Sequence, residues 1–237
     1  DTDPTDWKTS GTNIYVTANY SGNNKIFAEW SVGSAAPYTY SWDKILPNAI
    51  TVSGNVYSVS GGTETVCAGS SELRLKIPGV AAYTASCTDS TGAFSFSGVS
   101  QPATGAGLVI WIEGLATNGA LVIRYDGSGD STSNNLYEST VTVTSDNTTG
   151  VDIIDMNTYD YGDDDDIPYT ATDATPDTLS VNANYHLRVS LKSGVANGST
   201  VFDPNGTVNM TAGTGNFHID DNAAAYLDTD SNTIGAD

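Results

Sequence analysis

The chain has 237 residues, of which 38% are hydrophobic and 15% are charged, and its formal net charge is −20 at pH 7. An acidic field of this size repels nucleic acid and anionic lipid, so we expect neither a nucleic-acid partner nor membrane insertion. The length permits one large β domain or two smaller ones, and we favour two.

Composition favours strands over helices. Tyr, Thr, Val, Ser, Asn and Gly are abundant, whereas Lys, Arg, Glu, Leu and Met are scarce, and this mixture suits strands joined by tight turns. We therefore predict an all-β fold made of antiparallel β-sandwiches, with a strand-rich C-terminal part that can form a short solenoid.

Residues 1–62 are predicted to form an N-terminal group of strands. Segments in which polar and apolar residues alternate are separated by Gly, Asn or Pro, which is typical of a sandwich or a meander. These segments are residues 14–20, 25–30, 38–42, 49–53 and 56–60.

The first 20 residues also form a candidate exchanged arm. Residues 1–10 are polar, and the strand after them could add to an open sheet edge of a neighbouring copy, where it would supply backbone hydrogen bonds. The alternative, which we favour, is that this strand pairs within its own sheet. The candidate donated residues are Ile14, Val16, Ala18 and Tyr20.

Residues 63–146 carry the clearest strand pattern and both cysteines. Charged and aliphatic residues alternate from Glu72 to Ile77, which predicts a strand with one wet and one buried face. After the Pro78–Gly79 turn, residues 83–87 can return beside that strand. We predict that Cys67 and Cys87 form a disulfide, with a reduced buried pair as the alternative.

The segment from Gly107 to Gly114 is almost continuously apolar. A strand of this kind is typical of a position inside a sheet with both faces covered. We therefore expect it to form the centre of the core.

Residues 147–237 combine Asp-rich loops with short strand candidates at 179–181, 185–191, 207–210 and 216–227. Short strands with frequent Gly and Asn can stack as a partial solenoid, and a continuing sandwich edge is equally permitted. The predicted domains are thus residues 1–62, 63–146 and 147–237.

Two acidic segments are candidate calcium sites, because carboxylates are the hard oxygen ligands that Ca²⁺ prefers. The first lacks the spacing of an EF-hand loop, and a solvated acidic loop is its alternative. The second has ligands at alternate positions, like the opening of a calcium loop, but Thr233 stands where Gly is needed and no Glu follows; chance alternation is its alternative. We predict no other cofactor. The candidate ligands are Asp160, Asp163, Asp164, Asp165 and Asp166 in the first segment and Asp228, Asp230 and Asn232 in the second.

Nothing in the sequence selects a catalytic group. His186 and His218 each lie within an alternating strand pattern, no Gly-x-Ser-x-Gly motif occurs, and no pair of carboxylates is singled out. We therefore predict that the protein is not an enzyme. The four Trp and 13 Tyr residues could form a sugar-stacking surface, although core packing is the more common role of strand aromatics.

Five Asn-x-Ser/Thr motifs are candidate glycosylation sites if the export pathway adds glycans. Most of them fall in the C-terminal part of the chain, where glycans would cluster. The acceptor residues are Asn19, Asn147, Asn197, Asn205 and Asn209.

The segment from Cys67 to Asp126 resembles carboxypeptidase-regulatory-like β-sandwich modules of large exported bacterial surface proteins. The resemblance is carried by the turn Asp89-Ser90-Thr91-Gly92, the Phe-containing strand that follows it, and the later strand "VIWIEG". Downstream, the chain looks like the strand-rich regions that follow such modules in adhesin-like proteins, up to about Leu227. The resemblance implies a prealbumin-like sandwich that acts as a structural or spacer unit without an active site.

The polar start of the chain at Asp1 and the cysteine usage lead us to expect an exported protein whose leader has been removed. We expect a structural component of the cell surface that assembles with copies of itself into an extracellular filament or layer. The alternative is a carbohydrate- or calcium-binding adhesion module with surface glycans as partners. A hydrolase is the third possibility.

Overall fold

The computed structural model describes residues 49–57, 72–88, 91–115, 117–211 and 213–225, and the backbone of four strands at 15–17, 25–30, 38–43 and 233–236. The chain divides into two compact units, residues 1–48 and residues 49–237. This division differs from the boundaries predicted at residues 62 and 146.

The first unit contains a three-stranded antiparallel meander of β1 (Tyr15–Thr17), β2 (Lys25–Trp30) and β3 (Tyr38–Asp43). Strand β1 pairs with β2, with Val16 opposite Ala28. The pairing of this strand is therefore within its own sheet, which is the alternative favoured from the sequence.

The second unit is built from sixteen described strands and one short helix. In chain order they are β4 (Ala49–Tyr57), β5 (Glu72–Lys76), β6 (Tyr83–Ser86), β7 (Ala93–Ser100), β8 (Gly107–Glu113), β9 (Ala120–Arg124), β10 (Ser131–Tyr137), β11 (Thr140–Ser145), α1 (Ile153–Met156), β12 (Tyr169–Thr172), β13 (Asp177–Val181), β14 (His186–Val189), β15 (Thr200–Phe202), β16 (Gly206–Met210), β17 (Phe217–Ile219), β18 (Ala224–Ala225) and β19 (Thr233–Ala236).

Three sheets form the layers of this unit. The cover sheet has the order β10-β4-β7, the central sheet β17-β14-β11-β9-β8-β5-β6, and the outer sheet β12-β13-β16-β19. Strand β4 belongs to the cover sheet because it pairs with both β7 and β10. Residues 49–57 therefore belong to the second unit, contrary to the predicted boundary at residue 62.

The cover and central sheets enclose one hydrophobic cluster, the sandwich core, which includes Val52, Phe96, Leu75 and Ile110. The other face of the central sheet contributes Val109 and Trp111 to a second cluster, the solenoid core, together with the outer sheet, α1 and β15. Consecutive residues of β8 thus enter different cores. The prediction that both faces of this strand are covered is confirmed.

From β9 onwards most strand pairs are parallel, the exception being the antiparallel pair of β12 and β13, so that part of the unit is a short three-sided solenoid. One column contains β9, β11, β14 and β17, and a second contains β13, β16 and β19. A third, shorter column joins Val151 to β15 and β15 to β18. The predicted solenoid-like part is therefore present, and it begins at β9, before the predicted start at residue 147. Its columns are parallel because each strand meets its neighbour only after one coil of chain.

The solenoid also crosses the predicted boundary at residue 146. Strand β11 ends just before that position, yet it pairs on one side with β9 and on the other with β14. A single cluster buries Val143 from one side of the boundary and Val189 and Val208 from the other. Because the two segments share a sheet and a core, they belong to one unit.

Helix α1 is short and is fixed at its start by a capping box. The Asp152 carboxylate accepts a hydrogen bond from the backbone N of Asp155, and the Asp155 carboxylate accepts one from the backbone N of Asp152. Arg124 of β9 pairs with Asp155 at 2.5 Å. None of the helices in the described part of the chain has the length and apolar character needed to span a membrane.

Candidate functional site

In the acidic loop between α1 and β12, carboxylates accept hydrogen bonds from backbone N groups and hold the loop in place. One carboxylate oxygen of Asp160 accepts from the backbone N of Gly162 at 2.8 Å, and the other accepts from that of Ala171 at 2.7 Å. The Asp164 carboxylate accepts from the backbone N of Asp166 at 3.1 Å. Asp160 is thus used to hold the loop against β12.

The loop brings Asp164 and Asp166 to Glu113, the last residue of β8. One carboxylate oxygen of each of these three residues lies within 4.8 Å of the others. We call this group the acidic triad. Asp163 and Asp165 are exposed and, like Asp160, lie outside the triad, so the structure regroups the calcium ligands predicted from sequence.

The position of Asp166 is fixed from two sides. Its carboxylate accepts a hydrogen bond from the backbone N of Gly114 at 2.7 Å. Its backbone oxygen accepts one from the Asn118 amide at 2.6 Å, and Asn118 in turn accepts one from the Tyr185 hydroxyl. The triad therefore connects the end of β8, the β8–β9 turn and the acidic loop.

The surroundings of Glu113 shift the pKa of its carboxyl group upward. Burial raises the pKa of Glu113 above its ordinary value and the Asp164 carboxylate raises it further, while the hydrogen bond from Trp111 Nε1 (3.1 Å) and the charge of Arg74 oppose the rise. Carboxylates at this separation repel one another when ionised, and a hard cation such as Ca²⁺ would relieve that repulsion.

Glu113 is not among the calcium ligands predicted from the sequence. It is separated from the acidic loop by more than forty-five positions, and only the packing of the loop over the end of β8 brings them together. No spacing pattern in the sequence signals that contact. The second predicted calcium set, Asp228, Asp230 and Asn232, lies outside the described residues.

The predicted disulfide is described at one end only. Cys87 follows β6, is partly buried and is not a free thiol. Cys67 lies outside the described residues. The pairing of these two cysteines stays a prediction.

The candidate glycosylation sites fall into two groups. Asn197 and Asn205 are exposed, whereas Asn147 and Asn209 are partly buried. The side-chain oxygen of Asn147 also accepts a hydrogen bond from the backbone N of Thr149 at 2.7 Å. Asn19 lies outside the described residues, as do Ile14, Ala18 and Tyr20 of the candidate arm.

Trp111, His186 and His218 are the tryptophan and the histidines whose side chains the structure describes. Trp111 is 1% exposed, so it cannot stack on a sugar. His186 accepts a hydrogen bond from the backbone N of Asn216 at 3.2 Å through Nδ1, and His218 lies 3.2 Å from Asp220 at the surface. The side chains of Trp7, Trp30 and Trp42 lie outside the described part of the chain.

No protein-family model matches the chain, and no curated protein matches it either. Among solved structures, the chain is similar to the crystal structure of a DUF3823 family protein from Parabacteroides merdae ATCC 43184, with 14% sequence identity and a TM-score of 0.29. The match covers 38% of this chain and 45% of that one. A TM-score this low establishes no shared fold.

Proposed function

We propose that the protein is a non-enzymatic, exported structural component of the cell surface that assembles with copies of itself into a filament or layer. The observation that supports this proposal is the coil of the solenoid formed by β17, β18 and β19. Strands β17, β18 and β19 each lie at the edge of their sheet, and all three belong to the same coil. No further strand pairs with this coil among the described residues.

An open coil of this kind is a natural surface for adding strands. The outward backbone groups of an edge strand can pair with another chain. Strand β17 also presents Ile219, which is 41% exposed. A second copy that stacks on this coil would bury that side chain and continue the parallel columns.

Charge would control such assembly. The net charge of −20 makes copies repel one another, and salt screens this repulsion over a distance of about 10 Å at 0.1 M ionic strength. We therefore expect assembly to increase with ionic strength and with divalent cations.

The test uses the purified full chain and two matched Ile→Lys variants. Ile219→Lys adds a charge to the open coil, whereas Ile154→Lys adds the same charge on α1, where the isoleucine is 53% exposed. We expect negative-stain microscopy and sedimentation to show filaments or large assemblies for the wild type and for Ile154→Lys, and monomers for Ile219→Lys. A wild-type monomer at high protein concentration, with and without Ca²⁺, would contradict the proposal.

The second candidate function is that of a calcium-binding adhesion module, and the specific observation that favours it is the acidic triad. Two of its members come from the acidic loop predicted to bind calcium, and the third, Glu113, adds a partly buried carboxylate. Extracellular calcium modules bind with a Kd of about 10⁻⁴–10⁻³ M. At about 10 mM Ca²⁺, binding with a Kd of 1 mM would stabilise the folded state by roughly 1.4 kcal/mol.

Thermal unfolding with and without Ca²⁺ distinguishes this function from the first. We expect Ca²⁺ to raise the Tm of the wild type and of the loop variant Asp165→Asn, but not that of Asp164→Asn. An equal Tm increase in all three proteins would mean that calcium acts through general screening and not through the triad.

A further inference from the structure

Lys192, just after β14, places its amino group in a buried polar site between the central and cover sheets. Its Nζ donates hydrogen bonds to Asn134 Oδ1 and to Ser131 Oγ, each at 2.9 Å, and also contacts the Asp146 carboxylate. The side chains of Lys192 and Asp146 are 7% and 8% exposed, and Asn134 is fully buried. A lysine, a side-chain amide and a carboxylate therefore meet away from water.

The backbone is shaped to hold Asn134 in this site. The register of β10 against β4 shifts between Ser131 and Asn134, and Ser133 between them has a φ of 59°. Gly54 of β4 lies so close that an added Cβ would overlap the backbone oxygen of Asn134. The Asn134 amide nitrogen donates to the backbone oxygens of Ser53 (3.0 Å) and Ser131 (2.9 Å), so its carbonyl faces Lys192.

The surroundings of Lys192 favour the neutral form of its amino group more than water does. Burial lowers the pKa of Lys192, and the charge of Asp146 opposes this shift. The second carboxylate oxygen of Asp146 is buried and makes no hydrogen bond among the described residues. Transfer of one proton from Lys192 to Asp146 would leave an uncharged nucleophile beside an amide carbonyl and give that oxygen a proton to share.

We propose that Lys192 and Asn134 react to form an intramolecular isopeptide bond, with Asp146 as the catalytic acid and base. The proposal concerns a covalent modification and does not depend on the function proposed above.

The reaction balances without any co-reactant. Asp146 first takes a proton from the Lys192 ammonium, and the Nζ lone pair attacks Cγ of Asn134 to form the new C–N bond. Asp146 then returns its proton to Nδ2 of Asn134 and takes the second proton from Nζ as the tetrahedral intermediate collapses. The Cγ–Nδ2 bond breaks, and Nδ2 leaves with its three hydrogens as ammonia.

The bond would join residues 58 positions apart and would link the cover sheet to the solenoid. Strand β10 is an edge strand of the cover sheet, and Lys192 lies three residues after β14 of the central sheet. Pulling the chain ends could then not separate β10 from the end of β14 without breaking a covalent bond.

Intact mass measurement of the purified full chain, reduced and denatured, tests the proposal. We expect a mass lower than that of the sequence by one ammonia, and a proteolytic digest that contains a branched peptide joining Lys192 to Asn134. A wild-type mass equal to that of the sequence would overturn the proposal.

Variants separate the crosslink from other losses of ammonia. Lys192→Arg and Asp146→Ala should restore the full sequence mass, and the neighbouring Asn135→Ala should keep the deficit. Asn134→Asp should lose water instead of ammonia and yield a product of the same mass as the wild type. A deficit that persists in Lys192→Arg would show that Asn134 or another Asn cyclises on its own, and would also overturn the proposal.

Discussion

Strand β8 is the place where the layered architecture can be tested most directly. Val109 packs in the solenoid core and Ile110 in the sandwich core, and both are fully buried. Strand β5 beside it has one buried and one partly exposed face, with Leu73 buried and Glu72 partly exposed. Truncation to alanine should therefore be costly at both consecutive positions of β8, but at only one of the two in β5.

The expected costs follow from the atoms removed. Val109→Ala removes two methyl groups, worth about 1.6 kcal/mol of transfer free energy, and the cavity left behind should raise the loss to about 2–3 kcal/mol. Ile110→Ala and Leu73→Ala should each cost about 2–5 kcal/mol. Glu72→Ala removes a partly exposed side chain paired with Arg74 at 2.6 Å and should cost less than about 1 kcal/mol.

Urea unfolding followed by far-UV circular dichroism gives the four free energies of unfolding. Val109→Ala and Ile110→Ala should shift the same unfolding transition, because the two cores share β8. A cost below about 0.5 kcal/mol for Val109→Ala, with a large cost for Ile110→Ala, would refute the two-sided burial of β8 and with it the packing of the solenoid on the central sheet.

Three further predictions concern single residues of the second unit. Gly107→Ala should destabilise by about 1–3 kcal/mol in urea unfolding, because its Cβ would overlap the backbone oxygen of Asp155; Gly162→Ala meets only a side-chain oxygen at 3.1 Å and serves as the control. Burial and neighbouring carboxylates raise the folded-state pKa of Glu113, so the wild type should lose stability as pH rises from about 4.5 through that raised pKa. Glu113→Gln should lack this loss in a pH series of Tm values. Arg188→Lys should cost about 1 kcal/mol of unfolding free energy, because the Arg188 guanidinium stacks 3.9 Å from a tyrosine ring centroid.

Local patterns predicted the individual strands well. Strict alternation from Glu72 to Ile77 indicated a strand with one buried face, and β5 has that burial. The continuous apolar run from Gly107 indicated a strand with both faces covered, and β8 is one. These patterns succeed because side-chain direction in a strand has a period of two, so burial is recorded directly in the residue order.

Local residue patterns did not predict which strands pair with one another. Residues 136–144 have the composition of one continuous strand, but Ser139 adopts a φ of 51° and divides them between β10 and β11, which lie in different sheets. Parallel columns join strands that are separated by variable lengths of chain, and no fixed period in the sequence marks them. The contact of Glu113 with the acidic loop is likewise set by tertiary packing alone.

The buried charges of the second unit point to a role in joining layers. Arg124 reaches from β9 to Asp155 in α1, whereas Lys192 and Asp146 follow the neighbouring strands β14 and β11 and both contact Ser131 of β10. A buried charge is costly unless it is paired, so each pair favours one arrangement of the elements it connects. The first pair holds α1 against β9, and the second lies where the central sheet meets the cover sheet. Intact mass measurement decides whether Lys192 is bonded covalently to Asn134 or is held only by hydrogen bonds and by its ion pair with Asp146.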